Sequence, residues 1–169
     1  MTRSGFVAIL GRPNVGKSTL LNAIVGEKVS ITSSTPNTTR HAVRGIVTEG
    51  ETQVVFVDTP GLHRPKSTLG GRMNATARQA ASGVDVVIAM IDGRSDIGPG
   101  DRTVLSAMVE ACGASGPLPV VVVNKIDRTA HENTAAALLA VAQCVEELAS
   151  AAGRAAVADR VEYFPVSAK

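Results

Sequence analysis

A chain of 169 residues, 44% of them hydrophobic, has the length of one domain and enough apolar mass to bury a core. With three Phe, one Tyr and no Trp, that core falls to Val, Ile, Leu and Ala, the usual content of buried parallel strands under Ala-rich helices. A net charge of +2 excludes strong electrostatic binding of nucleic acid as the main work of this segment, and no apolar run approaches the ~18 residues of a membrane helix.

Residues 1–4 lead straight into the apolar run "GFVAIL" (5–10), with no secretory signal, and that run predicts a buried strand. "GRPNVGKST" (11–19) follows, and "STLLNAIVG" (18–26) has helical spacing with Gly26 as its C-cap. From Val29 to Arg40 the chain is rich in Ser, Thr, Pro and Asn without a period, which predicts a mobile loop. "HAVRGIVTEGETQVVFVDTP" reads as two strands joined at Glu49-Gly50-Glu51. A second irregular loop is expected over 61–71 and a helix over 72–82. "VDVVIAMID" (84–92) and "PLPVVVVNKID" (117–127) predict two further buried strands, with a helix at about 99–112 between them. A long amphipathic helix over 131–153 stops at Gly153, and "VEYFPVSAK" (161–169) is a final strand and loop. Cys112 and Cys144 lie in apolar helical runs without metal-ligand spacing and read as reduced core thiols, which points to the cytoplasm.

Strands alternating with helices argue for an α/β fold: a mostly parallel six-stranded sheet, helices on both faces, one antiparallel strand at an edge. Such a sheet normally carries one more helix after its last strand, so the final helix is expected to be truncated in this chain.

The chemistry starts at Gly11. The pattern G-x-x-x-x-G-K-[ST] from Gly11 to Ser18, after a strand and opening a helix, is a phosphate cradle of backbone N–H groups and a helix N-terminus. Gly16 lets the backbone approach a phosphate, Lys17 supplies charge at the β and γ phosphates, and the Ser18 hydroxyl suits Mg²⁺. The loop members Arg12, Pro13, Asn14, Val15 and Thr19 line the same site. "DTPG", from Asp58 through Thr59 and Pro60 to Gly61, ends an apolar strand, where a carboxylate can hold Mg²⁺ through water and the Gly61 N–H can meet a γ-phosphate. Alone, that tetrapeptide is simply a turn. "NKID" (124–127) follows a buried strand. Asp127 can accept hydrogen bonds from the N1–H and exocyclic amine of guanine, Lys125 can lie along the base, and Asn124 can tie the base loop to the phosphate loop. Ser167, Ala168 and Lys169 fit a backbone contact to the guanine oxygen.

These four motifs, in this order and each ending a strand, resemble the GTPase branch of the P-loop proteins over essentially the whole chain, and imply a Ras-like domain that binds GTP or GDP. The stretch 58–77 is similar to the Era family of bacterial GTPases of small ribosomal subunit assembly, at Leu62-His63, Pro65-Lys66, Leu69-Gly70 and Met73-Asn74. That resemblance implies a molecular switch in maturation of the 30S subunit and its 16S rRNA. The alternative is another bacterial ribosome- or tRNA-associated GTPase of the same branch. Members of the family contact rRNA through a C-terminal KH domain, which this chain lacks, so weak or no RNA binding is expected of residues 1–169. Peripheral membrane association leaves no signal in these residues.

A Thr in the loop after the first helix is implied to close over Mg²⁺. Thr38 and Thr39 both qualify, and the resemblance favours Thr39, which joins Lys17 and Gly61 as the catalytic set. Leu62 stands where Ras-type GTPases carry the Gln that orients the attacking water, so slow intrinsic hydrolysis is implied. His63 is a tempting substitute, although a histidine in such a loop is more often solvated or a partner contact. Related GTPases with an apolar residue there and Asn at position 14 bind K⁺, which makes the Asn14 side chain a candidate K⁺ ligand.

Overall fold

The computed structural model describes residues 3–30, 42–63, 68–113 and 115–169. The elements run β1 (Arg3–Gly11), α1 (Lys17–Val25), β2 (Val43–Glu49), β3 (Thr52–Asp58), α2 (Thr68–Ala80), β4 (Val86–Asp92), α3 (Pro99–Cys112), β5 (Leu118–Asn124), α4 (His131–Ala151), α5 (Ala155–Ala158) and β6 (Glu162–Val166). The six strands form one sheet in the order β2-β3-β1-β4-β5-β6. β2 and β3 pair antiparallel and every other neighbour pairs parallel, as the alternating pattern requires.

The strands read as continuous apolar runs because both faces of the sheet are packed. Ala8 and Leu10 of β1, Val87, Ala89 and Ile91 of β4, and Val121 and Val123 of β5 face a core closed by α2, α3, α4 and α5. Their neighbours Val7, Ile9, Ile88, Met90, Val120 and Val122 face the other way, toward Leu21 of α1. Phe164 of β6, opposite Val122, is 46% exposed.

Parallel register brings the strand ends to one edge of the sheet. Ile9 pairs with Asp58, Gly11 with Met90, Asp92 with Asn124, and Asn124 with Val166. This carboxyl edge is where open α/β sheets bind ligands.

Helix α3 begins at Pro99, where Gly98 is the N-cap and its N–H donates to Asp101 Oδ2 at 3.0 Å. The second loop is shorter than the sequence suggests, since α2 begins at Thr68 rather than 72. A 3₁₀ turn over Ile126–Arg128 and the four-residue α5 carry no distinct signal and are additions. Helix α4 requires an amendment: its 21 residues are long and apolar enough to cross a membrane, contrary to the expectation that no run comes near that length. Here Val141, Cys144, Val145 and Ala149 are buried in the core, while Glu146 and Glu147 are exposed.

Candidate nucleotide site

The loop between β1 and α1 has a fixed shape. Gly16 has φ 112° and a side chain there would stand 2.3 Å from the Asn124 amide nitrogen, so only glycine fits. Asn14 also adopts a left-handed conformation, at φ 61°. Its carbonyl accepts a hydrogen bond from Lys125 Nζ at 2.9 Å. Val15 is buried and its carbonyl accepts from Asn124 Nδ2 at 2.8 Å. Lys17 is buried, with Nζ 3.1 Å from the Arg12 carbonyl and 3.4 Å from that of Gly11. Burial brings its ammonium down to about 8, against the opposing pull of the Asp58 carboxylate.

At the end of β3, Asp58 is fully buried and its Oδ2 accepts from Ser18 Oγ at 2.6 Å. Ser30 Oγ donates to the same oxygen at 2.9 Å. Ser30 is a site neighbour that sequence reasoning missed: nothing local marks it, because it is brought there by Asn22 of α1. The Asn22 side chain accepts from Ser30 N–H and donates to the Ser30 carbonyl, both at 2.8 Å. Ser18 and Asp58 put a hydroxyl and a carboxylate side by side next to the phosphate loop, hard oxygen donors of the kind Mg²⁺ prefers. Among the described residues no group of three or more His, Cys, Asp or Glu could hold a metal by itself, so an ion here would need a ligand's oxygens or water as well.

The rest of that turn is turned inward. Thr59 Oγ1 donates to the Ile9 carbonyl at 2.7 Å, and Thr59 and Pro60 are buried. Gly61 lies against Pro13, where an added Cβ would stand 2.7 Å from the Pro13 nitrogen. Leu62 N–H donates to the Gly11 carbonyl at 2.9 Å while its side chain is fully buried in the core. His63 is clamped by Asn74, whose Oδ1 accepts from His63 N–H and whose Nδ2 donates to the His63 carbonyl. Its ring Nδ1 is 3.0 Å from the Gly61 carbonyl, a contact that needs the proton on Nδ1. Thr38 and Thr39, with Arg40, Pro65 and Lys66, lie outside the described residues. Thr19 lies in the first turn of α1, half-buried.

The base side is organised around Asn124, which is 2% exposed. Besides donating to Val15, it accepts Ala168 N–H at 3.1 Å, so one side chain joins the phosphate loop to the 167–169 turn. Asp127 Oδ1 accepts from Ser167 Oγ at 2.8 Å, and Lys169 ends that turn exposed. Lys125, at φ 70°, reaches Asp92 Oδ2 as well as Asn14, with Nζ 2.8 Å from the carboxylate. Asp92 was not singled out from the sequence, yet it ends β4 as Asp58 ends β3. Burial pushes its carboxyl up, but hydrogen bonds from Arg94 and Lys125 outweigh this and hold it well below the usual carboxylate range.

A P-loop opening a helix at the carboxyl edge of this sheet, with a buried carboxylate beside it, defines a nucleotide-binding domain of the P-loop class. The profile of a family described as 50S ribosome-binding GTPase matches residues 6–125. The chain is 47% identical over 162 residues to GTPase Era of Mycobacterium tuberculosis (strain H37Rv), which covers 95% of this chain and 54% of that protein. It is 48% identical over 168 residues to GTPase Era of Mycobacterium avium (strain 104), covering 98% and 51%. A crystal structure of Era with MgGDPNP and nucleotides 1506-1542 of 16S ribosomal RNA superposes with a TM-score of 0.78 at 35% identity, over 99% of this chain and 52% of that one. The chain belongs to the ribosome-binding GTPase family, and its likeness within it is to Era. It spans about half the length of the curated relatives it matches.

Proposed function

We propose that this chain is the GTP-binding and GTP-hydrolysing switch of a protein that works in 30S subunit and 16S rRNA maturation. The observation that carries the reading is the joining of the phosphate loop, the base loop and the 167–169 turn through Asn124, with Asp127 set beside Ser167. Asp127 then selects guanine, because adenine has neither the N1–H nor the amine at C2 that the carboxylate would accept from, and would leave it unpaired. The Era relative solved with 16S rRNA supports the small subunit as destination, although the family description names the 50S particle. In the whole protein the RNA contact belongs to a KH domain outside residues 1–169, and residues 1–169 alone bind RNA weakly or not at all.

Each residue has a separate task in this reading. The phosphate loop from Gly11 to Thr19 cradles the phosphates with its N–H groups, and Lys17 balances charge at the β and γ positions. Gly61 offers its N–H to the γ-phosphate from its seat on Pro13. Ser18, Asp58 (through water) and Thr39 hold Mg²⁺, which when bound neutralises phosphate charge. Leu62 faces the core and cannot orient water, so intrinsic hydrolysis is slow. The exposed, left-handed Asn14 would hold a K⁺ through its side chain, and the ion would supply positive charge beside the phosphates where Leu62 gives none.

Phosphate release from GTP tests these assignments. It is expected to be slow, to stop with EDTA, and to run faster in K⁺ than in Na⁺ at equal ionic strength. Asp127→Asn should shift preference toward xanthine nucleotides. Hydrolysis indifferent to EDTA contradicts the Mg²⁺ assignment. Equal rates in the two salts, or no loss on Asn14→Ala, contradict K⁺.

A further inference from the structure

The phosphate loop is also gripped from outside the site, by α3. Arg12 Nε lies 2.7 Å from Asp101 Oδ1, an ion pair held by charge and not by an aligned hydrogen bond. Asp101 is fully buried, and its other oxygen accepts Gly98 N–H at 3.0 Å, capping the helix. The carboxylate therefore has a fixed place: it is tied to the helix cap, and the helix is locked into the core by the fully buried Val104, Leu105 and Met108. The apolar stem of Arg12 runs over Gly100, where an added Cβ would stand 2.7 Å from Arg12 Cδ. Glycine at that helical position leaves room for the stem.

The backbone of Arg12 and its two neighbours carries the contacts of the phosphate end. The Arg12 carbonyl accepts from Lys17 Nζ at 3.1 Å. Gly11, before it, accepts Leu62 N–H at 2.9 Å. Pro13, after it, is the surface on which Gly61 rests. A shift of Arg12 is thereby passed to the Lys17 ammonium and to the 61–62 backbone together.

We propose that Arg12 and Asp101 are a positioning pair for GTP hydrolysis, setting Lys17 and Gly61 for the γ-phosphate by anchoring the loop to α3. This rests on the reading of the chain as a GTPase. Asp101 is invisible to motif reading because it lies far from every motif and also serves as an ordinary helix cap.

Gly100→Ala, in the first turn of α3, tests positioning without altering either member of the pair, since the added methyl displaces the Arg12 stem. In Gly100→Ala the turnover number and the affinity for a non-hydrolysable GTP analogue are each expected to fall about tenfold, the scale of a sub-ångström misplacement, with GDP affinity within about threefold. The variant should stay folded, with a cooperative thermal transition, although its midpoint falls as the buried Asp101 loses part of its pairing. Asp101→Asn, which retains a cap oxygen, should give a similar loss, and the double variant should lose no more than the worse single one. The pair is overturned if folded Gly100→Ala binds the analogue and turns over like wild type, or if the two losses multiply. A wild type that releases no phosphate contradicts the GTPase reading instead, and analogue affinity in Gly100→Ala then decides the pair: an unchanged value overturns it.

Discussion

Lys17 shows most directly how the site stores charge before a nucleotide arrives. Its ammonium is buried and sits among carbonyls, with a pKa near 8 rather than 10.5. Between those two values the unfolded chain binds more protons than the folded one, so the ligand-free protein should gain stability as pH rises through that window and show no such gain below it. Measured by urea unfolding, wild type should gain about 2 kcal/mol on Lys17→Met between pH 7.5 and 9.5, at about 1.36 kcal/mol per pKa unit. A difference between the two that stays flat with pH would contradict the buried-ammonium account. At this scale Lys17, Ser18, Asp58, Asn124 and Asp127 are legible from sequence because each belongs to a short pattern with its own chemistry. Ser30, Asp92 and Asp101 are not. Their partners lie 28, 33 and 89 positions away in the chain, and only the fold makes them neighbours. Asp92 alone carried a usable signal, as a carboxylate ending a buried strand.

Elements were legible where both the period and the ends were marked. Helix α3 lies where it was expected, at about 99–112, and Gly98-Pro99-Gly100-Asp101, which the sequence reading passed over, marks its start. The hairpin is read from Gly50, which takes φ 57° between β2 and β3. Helix α2 starts earlier than its apolar period because Thr68-Leu69-Gly70-Gly71 adds a turn that hydrophobic spacing does not reveal, and α5 is too short to have a period. One contact between elements also escapes pattern reading: α1 packs directly on the β2 backbone at Gly45. A Cβ there would stand 2.7 Å from both Leu21 Cδ1 and Val25 Cγ2. Valine is a better strand former than glycine, so propensity alone predicts that Gly45→Val stabilises. Packing predicts the reverse, a loss of about 1–3 kcal/mol in denaturant unfolding. A stabilised variant would show that α1 does not sit this close.

Across the whole molecule, register does the assembling. Five parallel or near-central strand ends carry Gly11, Asp58, Asp92, Asn124 and Val166 to one edge, and each motif follows its own strand there. Motifs separated by about a hundred residues thus become a site through sheet order alone, which is why fold class and site location could be argued together from one sequence. The finer roles depend on which base is bound, since guanine recognition turns a generic P-loop domain into a GTPase. Displacement of bound GDP by GTP and by ATP tests that claim most directly. GTP should compete at concentrations comparable to GDP, and ATP should need about 10⁴-fold more, because adenine has no N1–H and no amine at C2 for Asp127. ATP displacing GDP at a similar concentration would contradict the account.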